Sequence, residues 1–481
     1  MTPLPTIGLE VHAQLLTASK AFCACSTAFG APPNSLTCPV CLGHPGALPV
    51  LNAKAVEFAA RAALAFGCIV HPVSVFARKH YFYPDLPKGY QISQYDRPLA
   101  TDGGIEIETP GGARRIGIVR VHLEEDAGRS LHDVFDDATG VDFNRSGVPL
   151  IEIVTAPDID SAAGAAACFS AIRDILVALG ITDGNMEEGS LRCDANVSVR
   201  AAAEAPLGVK VEVKNINSFR YLQRALEFEI ARQSACLARR EPIAAETRLW
   251  DSAAGCTVSM RRKEEAHDYR YFPEPDLPPL RLDAALVEEW RRTQPELPAG
   301  MRARFVTEYG LPPYDAGVLT QSRALAAFYE ATARLAANPK AASNWIMVEL
   351  LGRMNAAGLP LEAVRVTPDS LARLIRLVDS GRITGPTAKT LFERMFTEGA
   401  DPAALVASEG LARVDDEGAL ERLVTDALAA HPRPVAQYRA GKRQTFGFLV
   451  GQVMKASRGT ADPEAVSRIL KRRLDEPDPA E

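Results

Sequence analysis

Three short segments of the sequence combine acidic side chains with strand-like alternation, and together they could hold a metal ion. Residues 116–128 alternate apolar and polar side chains and then present the consecutive acids Glu124, Glu125 and Asp126. Adjacent carboxylates repel each other, and a bound cation removes that repulsion; oxygen-rich clusters suit Mg²⁺. For this segment taken alone, a solvated acidic turn is the alternative explanation.

Two further segments favour the metal. Residues 7–12 place Glu10 and His12 on one face of a predicted strand and apolar side chains on the other. Residues 148–154 place Glu152 inside an apolar run, where a carboxylate is costly unless something pairs with it. We therefore expect three strands of one sheet to converge on a metal and phosphate site.

Two more segments alternate strictly and predict a polar surface. Residues 192–200 carry Asp194 on their polar face, and residues 209–215 carry Lys214 on theirs. For each strand alone, a polar face exposed to water is a sufficient explanation of the alternation. If the two strands pair, their polar faces form a surface with many positive and negative charges, which suits the binding of a polyphosphate and a metal.

Four cysteines are paired at the spacing of a structural zinc site. Cys23 and Cys25 form a C-x-C pair, and Cys38 and Cys41 form a C-x-x-C pair twelve residues later. Such pairs can close a tetrahedral site with no open position, so the zinc would be structural and not catalytic. Four free thiols are the alternative.

Residues 78–94 mix aromatic, basic and amide side chains without a clean period. Loops of this composition tend to line a site. The alternative is a surface loop whose tyrosines pack on the core.

The totals describe an ordinary globular chain with a local basic excess. The 481 residues carry a net charge of -6, with 47% hydrophobic and 24% charged residues, so the chain as a whole is not a basic nucleic-acid binder. Residues 431–474 are nevertheless rich in Lys and Arg and form a candidate phosphate-binding patch, with solvated helix faces as the alternative. The candidate contacts are Lys442, Arg443, Lys455, Arg458 and Lys471.

The elements that position these residues change type along the chain. Alternating runs, Gly and Pro dominate residues 1–290, and Ala, Leu, Arg and Glu at helical spacing dominate the remainder. This predicts an α+β fold with a mixed-sheet domain at 1–290, a helical domain at 291–406 and a small all-α tail domain at 407–481. No apolar run suits a membrane span, and no signal peptide precedes the first strand. The nine cysteines, five of them scattered singly, fit a reducing cytoplasm.

The common catalytic motifs are missing from the sequence. It contains neither a G-x-x-x-x-G-K-[S/T] loop nor a G-x-G-x-x-G fingerprint, and no G-x-S-x-G elbow marks a nucleophile. A nucleotide would therefore be bound outside the common phosphate loops.

Several segments resemble the B subunit of the bacterial aspartyl/glutamyl-tRNA amidotransferases. The resemblance rests on residues 7–12, 79–94, 123–128, 212–220 and 447–459 together with the four paired cysteines, and it runs nearly end to end. It implies a β-rich cradle domain that does the chemistry, a helical domain and a tail domain that grips tRNA. It also implies two partners, an amidase that forms the A subunit of the enzyme and a small C subunit.

The resemblance further implies an activity. The B subunit would use ATP and Mg²⁺ to phosphorylate the side-chain carboxylate of Glu on tRNA(Gln), or of Asp on tRNA(Asn). Ammonia released from glutamine in the amidase partner would displace the phosphate to give the amide. A non-catalytic tRNA-binding scaffold with a structural metal is the alternative function.

Roles follow from the resemblance residue by residue. The metal environment is assigned to Glu10, His12, Glu124, Glu125 and Glu152, with Glu10, His12, Glu125 and Glu152 as the Mg²⁺ set and not all of them direct ligands. Strict alternation puts Glu125 on the core face unless a bulge or the strand end redirects it. Asp194 and Lys214 are further catalytic candidates. The ammonia path is assigned to Lys79, Tyr81, Lys88 and Gln91, and structural zinc to Cys23, Cys25, Cys38 and Cys41.

Overall fold

The computed structural model of the protein describes residues 3–109, 111–132, 134–262, 269–414 and 416–475. Its chain divides into two compact units, Met1–Leu297 and Pro298–Glu481. The first unit contains every strand described, and the second is built of helices. The α+β prediction is therefore confirmed, whereas the three-domain division at 290 and 406 stays a prediction.

The strands of the first unit form one large sheet and three small ones. In chain order they are β1 (Leu4–Gln14), β2 (Ile69–Val70), β3 (Val73–Ser74), β4 (Ala77–His80), β5 (Tyr90–Ser93), β6 (Ala100–Thr109), β7 (Gly112–Glu125), β8 (Arg129–Leu131), β9 (Gly140–Asp142), β10 (Pro149–Thr155), β11 (Leu191–Arg200), β12 (Val211–Lys214), β13 (Glu246–Asp251), β14 (Cys256–Arg262), β15 (Phe272–Pro273) and β16 (Leu280–Arg281). The large sheet has the order β14-β13-β12-β11-β1-β10-β7-β6-β2. Only its β12–β13 pair is parallel among the pairings described.

The three acid-bearing strands are neighbours at the centre of this sheet. β1 pairs antiparallel with β10, and β10 pairs antiparallel with β7. On its other side β1 pairs with β11, which pairs in turn with β12. The predicted convergence of the three strands is confirmed. The strands that carry Asp194 and Lys214 also pair, which meets the condition under which their polar faces form one surface.

Helices cover one face of the sheet and leave the other face to the site. The helices of this unit are α1 (Ala53–Ala65), α2 (Ala162–Ala178), α3 (Phe219–Arg239) and α4 (Ala284–Arg292). Ile7, Leu9 and Val11 alternate along β1 into a core shared with Phe169 and Leu222 of the helices. Burying each such side chain contributes roughly 1.5–3 kcal/mol, which fixes the face that every strand presents to the core.

Side-chain caps set the starts of the helices. The Asn52 side chain accepts hydrogen bonds from the backbone N–H groups of Lys54 and Ala55 at the start of α1, and Ser218 caps α3 in the same manner. At its other end α3 stops at Arg240, whose left-handed backbone cannot continue the helix.

The second unit consists of helices around two hydrophobic cores. Its elements are α5 (Pro298–Tyr309), α6 (Pro313–Leu319), α7 (Arg323–Ala336), α8 (Pro339–Asn344), α9 (Leu351–Ala357), α10 (Pro368–Asp379), α11 (Gly385–Glu398), α12 (Pro402–Glu409), α13 (Glu417–Ala430), α14 (Pro432–Arg439), α15 (Thr445–Ala456) and α16 (Pro463–Asp475). A π-helical turn, Trp345–Leu350, joins α8 to α9. One core extends from Phe305 to Leu411, and the other from Leu420 to Leu474. Among the described residues, no helix combines the length and apolar composition that a membrane crossing requires.

Candidate active site on the open face of the sheet

The centre of the site is a row of side chains at matching positions of neighbouring strands. His12 of β1 lies opposite Glu152 of β10, which lies opposite His122 of β7. Arg192 of β11 extends the row on the other side of His12. Because adjacent strands are about 4.8 Å apart, residues in register bring their side chains into contact on the open face.

His12, Glu124 and Glu152 form the tightest group of donors in the row. One ligand atom from each lies within 4.8 Å of the others. His12 Nε2 is 3.2 Å from Glu152 Oε2, and His122 Nε2 is 3.7 Å from the same oxygen. Both carboxylates are buried, so the cluster combines one imidazole and two acids with little water around them.

The titration behaviour of the cluster follows from this packing. Burial would lower the pKa of His12, but the hydrogen bond and charge of Glu152, together with Glu124 and Asp194, outweigh it and raise the pKa. Burial would raise the pKa of Glu152, yet the charge of His122 and the hydrogen bond from His12 hold it well below its usual range. The cluster therefore keeps a carboxylate in its charged form inside a buried site.

An unpaired carboxylate oxygen in the same cluster indicates that the cluster can bind a cation. Glu124 Oε1 is buried and makes no hydrogen bond to any described residue, although His122 Nε2 is 3.3 Å away. A buried carboxylate oxygen without a partner costs free energy that a cation would recover. The two carboxylates suit Mg²⁺ when water completes the coordination, and the imidazole is a donor more typical of transition metals.

Glu125 lies on the opposite face of β7 from Glu124. The ladder with β10 stays regular up to the Glu125–Pro149 pair, so alternation is kept to the end of the strand. The Glu125 carboxylate pairs with Lys88 Nζ and accepts a 3.0 Å hydrogen bond from the Ile92 backbone N–H. Gln91 Nε2 donates to the Glu125 carbonyl at 2.8 Å. Glu125 is thus separate from the donor group, and its role as a Mg²⁺ ligand stays an untested prediction.

Glu10 also lies outside the tightest donor group, although it shares the open face. It is two residues along β1 from His12, opposite Asp194 of β11. Its Oε1 accepts a 2.9 Å hydrogen bond from Asn196 Nδ2. Asp194 Oδ2 pairs with Lys214 Nζ at 2.7 Å, which keeps a cation beside these acids.

Two of the residues predicted to line an ammonia path stand near the cluster. Burial would lower the pKa of Lys79, but the charges of Glu124, Tyr271 and Glu152 raise it above its ordinary value. Burial raises the pKa of the Tyr81 phenol, so that group stays neutral. The charge of Glu124 acts on both Lys79 and Tyr81, whereas Lys88 and Gln91 contact Glu125 on the other side of the strand.

Sequence reasoning named Asp126 among the consecutive acids but assigned it no role. Asp126 is buried, and its carboxylate accepts hydrogen bonds from Arg192 Nη2 at 3.0 Å and from Gln14 Nε2 at 2.7 Å. Burial would raise its pKa, but the charges of Arg192 and Arg145 lower it. His122 was given no role either, although alternation places it on the same strand face as Glu124.

The four paired cysteines converge, as their spacing predicts. The sulfurs of Cys23, Cys25, Cys38 and Cys41 all lie within 4.8 Å of one another. The hydrogen bond from Cys23 lowers the pKa of the Cys41 thiol, with help from Lys20, whose buried Nζ is 3.5 Å from Cys41 Sγ. Four converging thiols with one favoured as thiolate fit a tetrahedral zinc ion. The zinc itself stays a prediction.

The basic candidates near the end of the chain are exposed in the second unit. Lys442 and Arg443 lie between α14 and α15, Lys455 lies in the last turn of α15, and Arg458 follows it with a left-handed backbone. Lys471 lies on α16. Exposed cations on neighbouring helices and turns can meet phosphates, and their role stays a prediction.

Comparison with known proteins gives a consistent result along the chain. Residues 5–288 match the family described as GatB/GatE catalytic domain, and residues 327–474 match the family described as GatB domain. The B subunit of the aspartyl/glutamyl-tRNA(Asn/Gln) amidotransferase of Solidesulfovibrio magneticus is 52% identical over 468 residues, which is 97% of this chain and 98% of that protein. The proteins of the same name from Anaeromyxobacter sp. strain K and Carboxydothermus hydrogenoformans are 54% and 53% identical over 97% of this chain and 98% of each relative.

Proposed function

The chain belongs to the family of aspartyl/glutamyl-tRNA(Asn/Gln) amidotransferase B subunits, and on that premise we propose that it carries the ATP-dependent amidation site of such an enzyme. Its substrates are Glu-tRNA(Gln), Asp-tRNA(Asn) or both. The side-chain carboxylate is phosphorylated by ATP, and ammonia then replaces the phosphate. The reaction is that of a carbon–nitrogen ligase with glutamine as amide donor.

The observation that carries this proposal is the His12, Glu124 and Glu152 group, whose two carboxylates are buried and include one oxygen without a partner among the described residues. These three residues would hold Mg²⁺, which when bound neutralises phosphate charge and the charge that develops in phosphoryl transfer. Glu10 and Asp194 would support the site through the hydrogen bonds of Asn196 and Lys214.

The protein's own cations and dipoles do the positioning. Lys79 stays protonated beside Glu124 and can hold the substrate carboxylate or a phosphate oxygen near the cluster. Lys214, tied to Asp194, presents a second cation on the same face. Phosphoryl transfer needs mainly alignment and charge neutralisation, which agrees with the lack of a marked nucleophile in this sequence.

Ammonia reaches the site around the end of β7. Lys88 and Gln91 contact Glu125 on one face, and Lys79 and Tyr81 stand by Glu124 on the other. These polar groups can guide ammonia toward the activated substrate by hydrogen bonds and relay protons along the way. The neutral phenol of Tyr81 can donate a hydrogen bond along the way.

The remaining features serve assembly and tRNA binding. Zinc held by Cys23, Cys25, Cys38 and Cys41 stabilises the fold next to the site. The amidase partner and the small C subunit of the enzyme complete a heterotrimer that works in the cytoplasm, with glutamine hydrolysed in the amidase. The basic residues of the last helices hold the tRNA body, whose phosphates position it without reading its sequence.

The alternative is a tRNA-binding scaffold with a structural metal. The experiment that separates the two measures Mg²⁺-dependent ATP hydrolysis by the heterotrimer with and without Glu-tRNA(Gln), with hydroxylamine present to trap an activated side chain. The proposal expects Glu-tRNA to stimulate hydrolysis and a hydroxamate to form. Glu124→Gln should abolish both, because it removes a charged oxygen from the cluster.

Glu106→Gln is the matched control, since Glu106 is an exposed acid on the neighbouring strand β6. It should leave both signals unchanged. Glu-tRNA binding without ATP hydrolysis or hydroxamate in the unmodified heterotrimer would favour the scaffold instead.

A further inference from the structure

The two hydrophobic cores of the second unit meet at a small polar junction. The first core extends from Phe305 to Leu411, and the second, here called the tail core, extends from Leu420 to Leu474. Among the described residues, every helix pair with extensive contact lies within one of the two cores. The hydrogen bonds and ion pair that join the cores connect residues 382–387, 413–414 and 459–462. The orientation of the tail core therefore depends on these few contacts.

The turn after α15 presents a backbone carbonyl to the start of α11. Arg458 and Gly459 both have left-handed backbones, with φ of 53° and 79°. The Gly459 carbonyl oxygen accepts hydrogen bonds from Thr384 Oγ1 and from Thr387 Oγ1, the latter at 3.0 Å. Both threonines are buried. A Cβ at Gly459 would lie 3.5 Å from Thr387 Oγ1, so this turn is packed directly against α11.

The chain segment that connects the two cores bonds to both of them. The Arg413 backbone N–H donates to the Arg382 carbonyl at 2.8 Å, and the Val414 N–H donates to the Thr460 carbonyl at 3.0 Å. The Arg413 guanidinium also pairs with Asp462 Oδ2 at 2.7 Å. Both charged side chains are only partly exposed, so solvent screens this pair less than a pair on the open surface.

The junction adjoins two of the predicted tRNA contacts. Lys455 lies in the last turn of α15, and Arg458 immediately precedes Gly459; both side chains are exposed. The turn that bonds to α11 is thus the turn that carries these cations. Its contacts determine where the two charges lie relative to the first core.

We propose that the junction is a latch that, when closed, holds the cations of the tail core in the orientation that binds the tRNA body. The inference rests on the proposed function, in which one tRNA is held by the last helices and presents its amino acid to the first unit. For a ligand held at two points, a stiff connection raises the effective concentration of the second point. A loose tail core points correctly for only a fraction of the time, and the apparent affinity falls by that fraction. Opening the latch therefore weakens tRNA binding without removing a phosphate contact.

The test opens the latch and leaves the tail cations in place. Thr387→Val removes one hydroxyl donor with little change in size, and Arg413→Gln removes the ion pair; Thr384 is kept because it caps α11. The double variant is made in the heterotrimer. Hydrogen exchange of the backbone amides at 413 and 414 should become faster, and the KM for Glu-tRNA(Gln) should rise about tenfold with kcat unchanged. The slope of log affinity against log salt should stay the same, because the number of phosphate contacts is the same.

Matched variants separate the latch from general destabilisation. Thr390→Val combined with Arg334→Gln changes an exposed threonine of α11 and an exposed arginine of α7, and it should alter neither hydrogen exchange nor the KM. In the Thr387→Val background, Arg413→Lys can still pair with Asp462 and should retain most of the affinity that Arg413→Gln loses. If the double variant lowers the thermal midpoint, Thr387→Val alone is compared with Thr390→Val, and a smaller rise in KM is expected.

The possible results distinguish the latch from the proposed function. A shallower salt slope in the double variant would make Arg413 itself a phosphate contact and would overturn the latch. Unchanged hydrogen exchange, or faster exchange with an unchanged KM, would overturn it as well. The proposed function fails instead if the unmodified heterotrimer forms no amide on Glu-tRNA(Gln), an outcome that does not depend on any variant of the junction.

Discussion

At the scale of single residues, Glu124 and Glu125 show how one step along a strand changes a role. Glu124 lies on the open face near His12 and Glu152, and Glu125 lies on the opposite face beside Lys88. Both are buried, so neither acts as a solvated surface charge. Removing the charge at Glu124 and removing it at Glu125 should therefore impair different steps of the reaction.

We expect Glu125→Gln to separate phosphorylation from ammonia use. The variant removes the charge that holds Lys88 but leaves the His12, Glu124 and Glu152 group intact. Glu-tRNA-dependent ATP hydrolysis should therefore persist, while glutamine-dependent amide formation falls at least about tenfold. The measurement compares amidation with glutamine and with added ammonium chloride. Equal loss of ATP hydrolysis in Glu124→Gln and Glu125→Gln would instead place both acids in the metal site.

At the scale of elements, two local structures stabilise their surroundings through charge. One is the cysteine cluster, where Lys20 is buried against Cys41 and also contacts the Phe143 carbonyl at 3.3 Å. The other is the π-helical turn Trp345–Leu350, in which Glu349 pairs with Arg353 at 2.6 Å and with Lys389 at 3.2 Å. Each can be tested by stability measurements that do not depend on catalysis.

Metal analysis of the purified chain should find about one zinc ion per chain, held by the four cysteines. Cys38→Ser should lower the thermal midpoint of the first unit, because a structural zinc site contributes folding free energy directly. Activity per folded molecule should change much less. Cys256→Ser, at a cysteine outside the cluster, is the control. A metal-free chain whose four thiols titrate freely would contradict the zinc assignment.

The Glu349 pairs should make the helical unit sensitive to acid. Burial would raise the pKa of Glu349, but its hydrogen bonds with Arg353 and Lys389 and their charges lower it. A depressed pKa in the folded state means that the pairs stabilise above the unfolded pKa of about 4.3 and lose this contribution as pH falls through the folded value. Glu349→Gln should cost on the order of 1 kcal/mol at pH 7 and progressively less below about pH 4.3.

Calorimetric unfolding at a series of pH values measures this difference. Glu362→Gln, at an exposed acid of the 3₁₀ turn Leu361–Ala363, is the control. Its free energy of unfolding should match that of the unmodified chain at every pH. A destabilisation by Glu349→Gln that is the same at every pH would refute the charge argument.

At the scale of the whole molecule, the chain separates chemistry from the proposed tRNA grip. The donor cluster lies in the first unit, and the basic residues near the end of the chain lie in the second. Within the second unit, Leu411 belongs to the first helical core and Leu420 begins the next. A truncation placed between them leaves the first core whole.

We expect removal of residues 413–481 to raise the KM for Glu-tRNA strongly. Fewer phosphate contacts also mean fewer released counterions, so the slope of log affinity against log salt should become shallower. Glutamine hydrolysis in the amidase partner should survive, which serves as the internal control. Binding of Glu-tRNA with unchanged affinity and salt slope would show that the tail is not the grip.

The sequence by itself determined the local features of this protein. Alternation with a period of two assigned Glu10, His12 and Glu124 to polar strand faces, and it placed Glu125 toward the other face. The spacing of the paired cysteines predicted that four thiols come together. These features depend on neighbours within a few residues, so the sequence order contains them directly.

Only the tertiary structure decided which polar faces meet. The order β11-β1-β10-β7 and its register put His12 opposite Glu152 and Glu152 opposite His122, and they join Gln14 and Arg192 to Asp126. Register is set by the packing of whole strand faces against the helices, over sequence separations that no local pattern records.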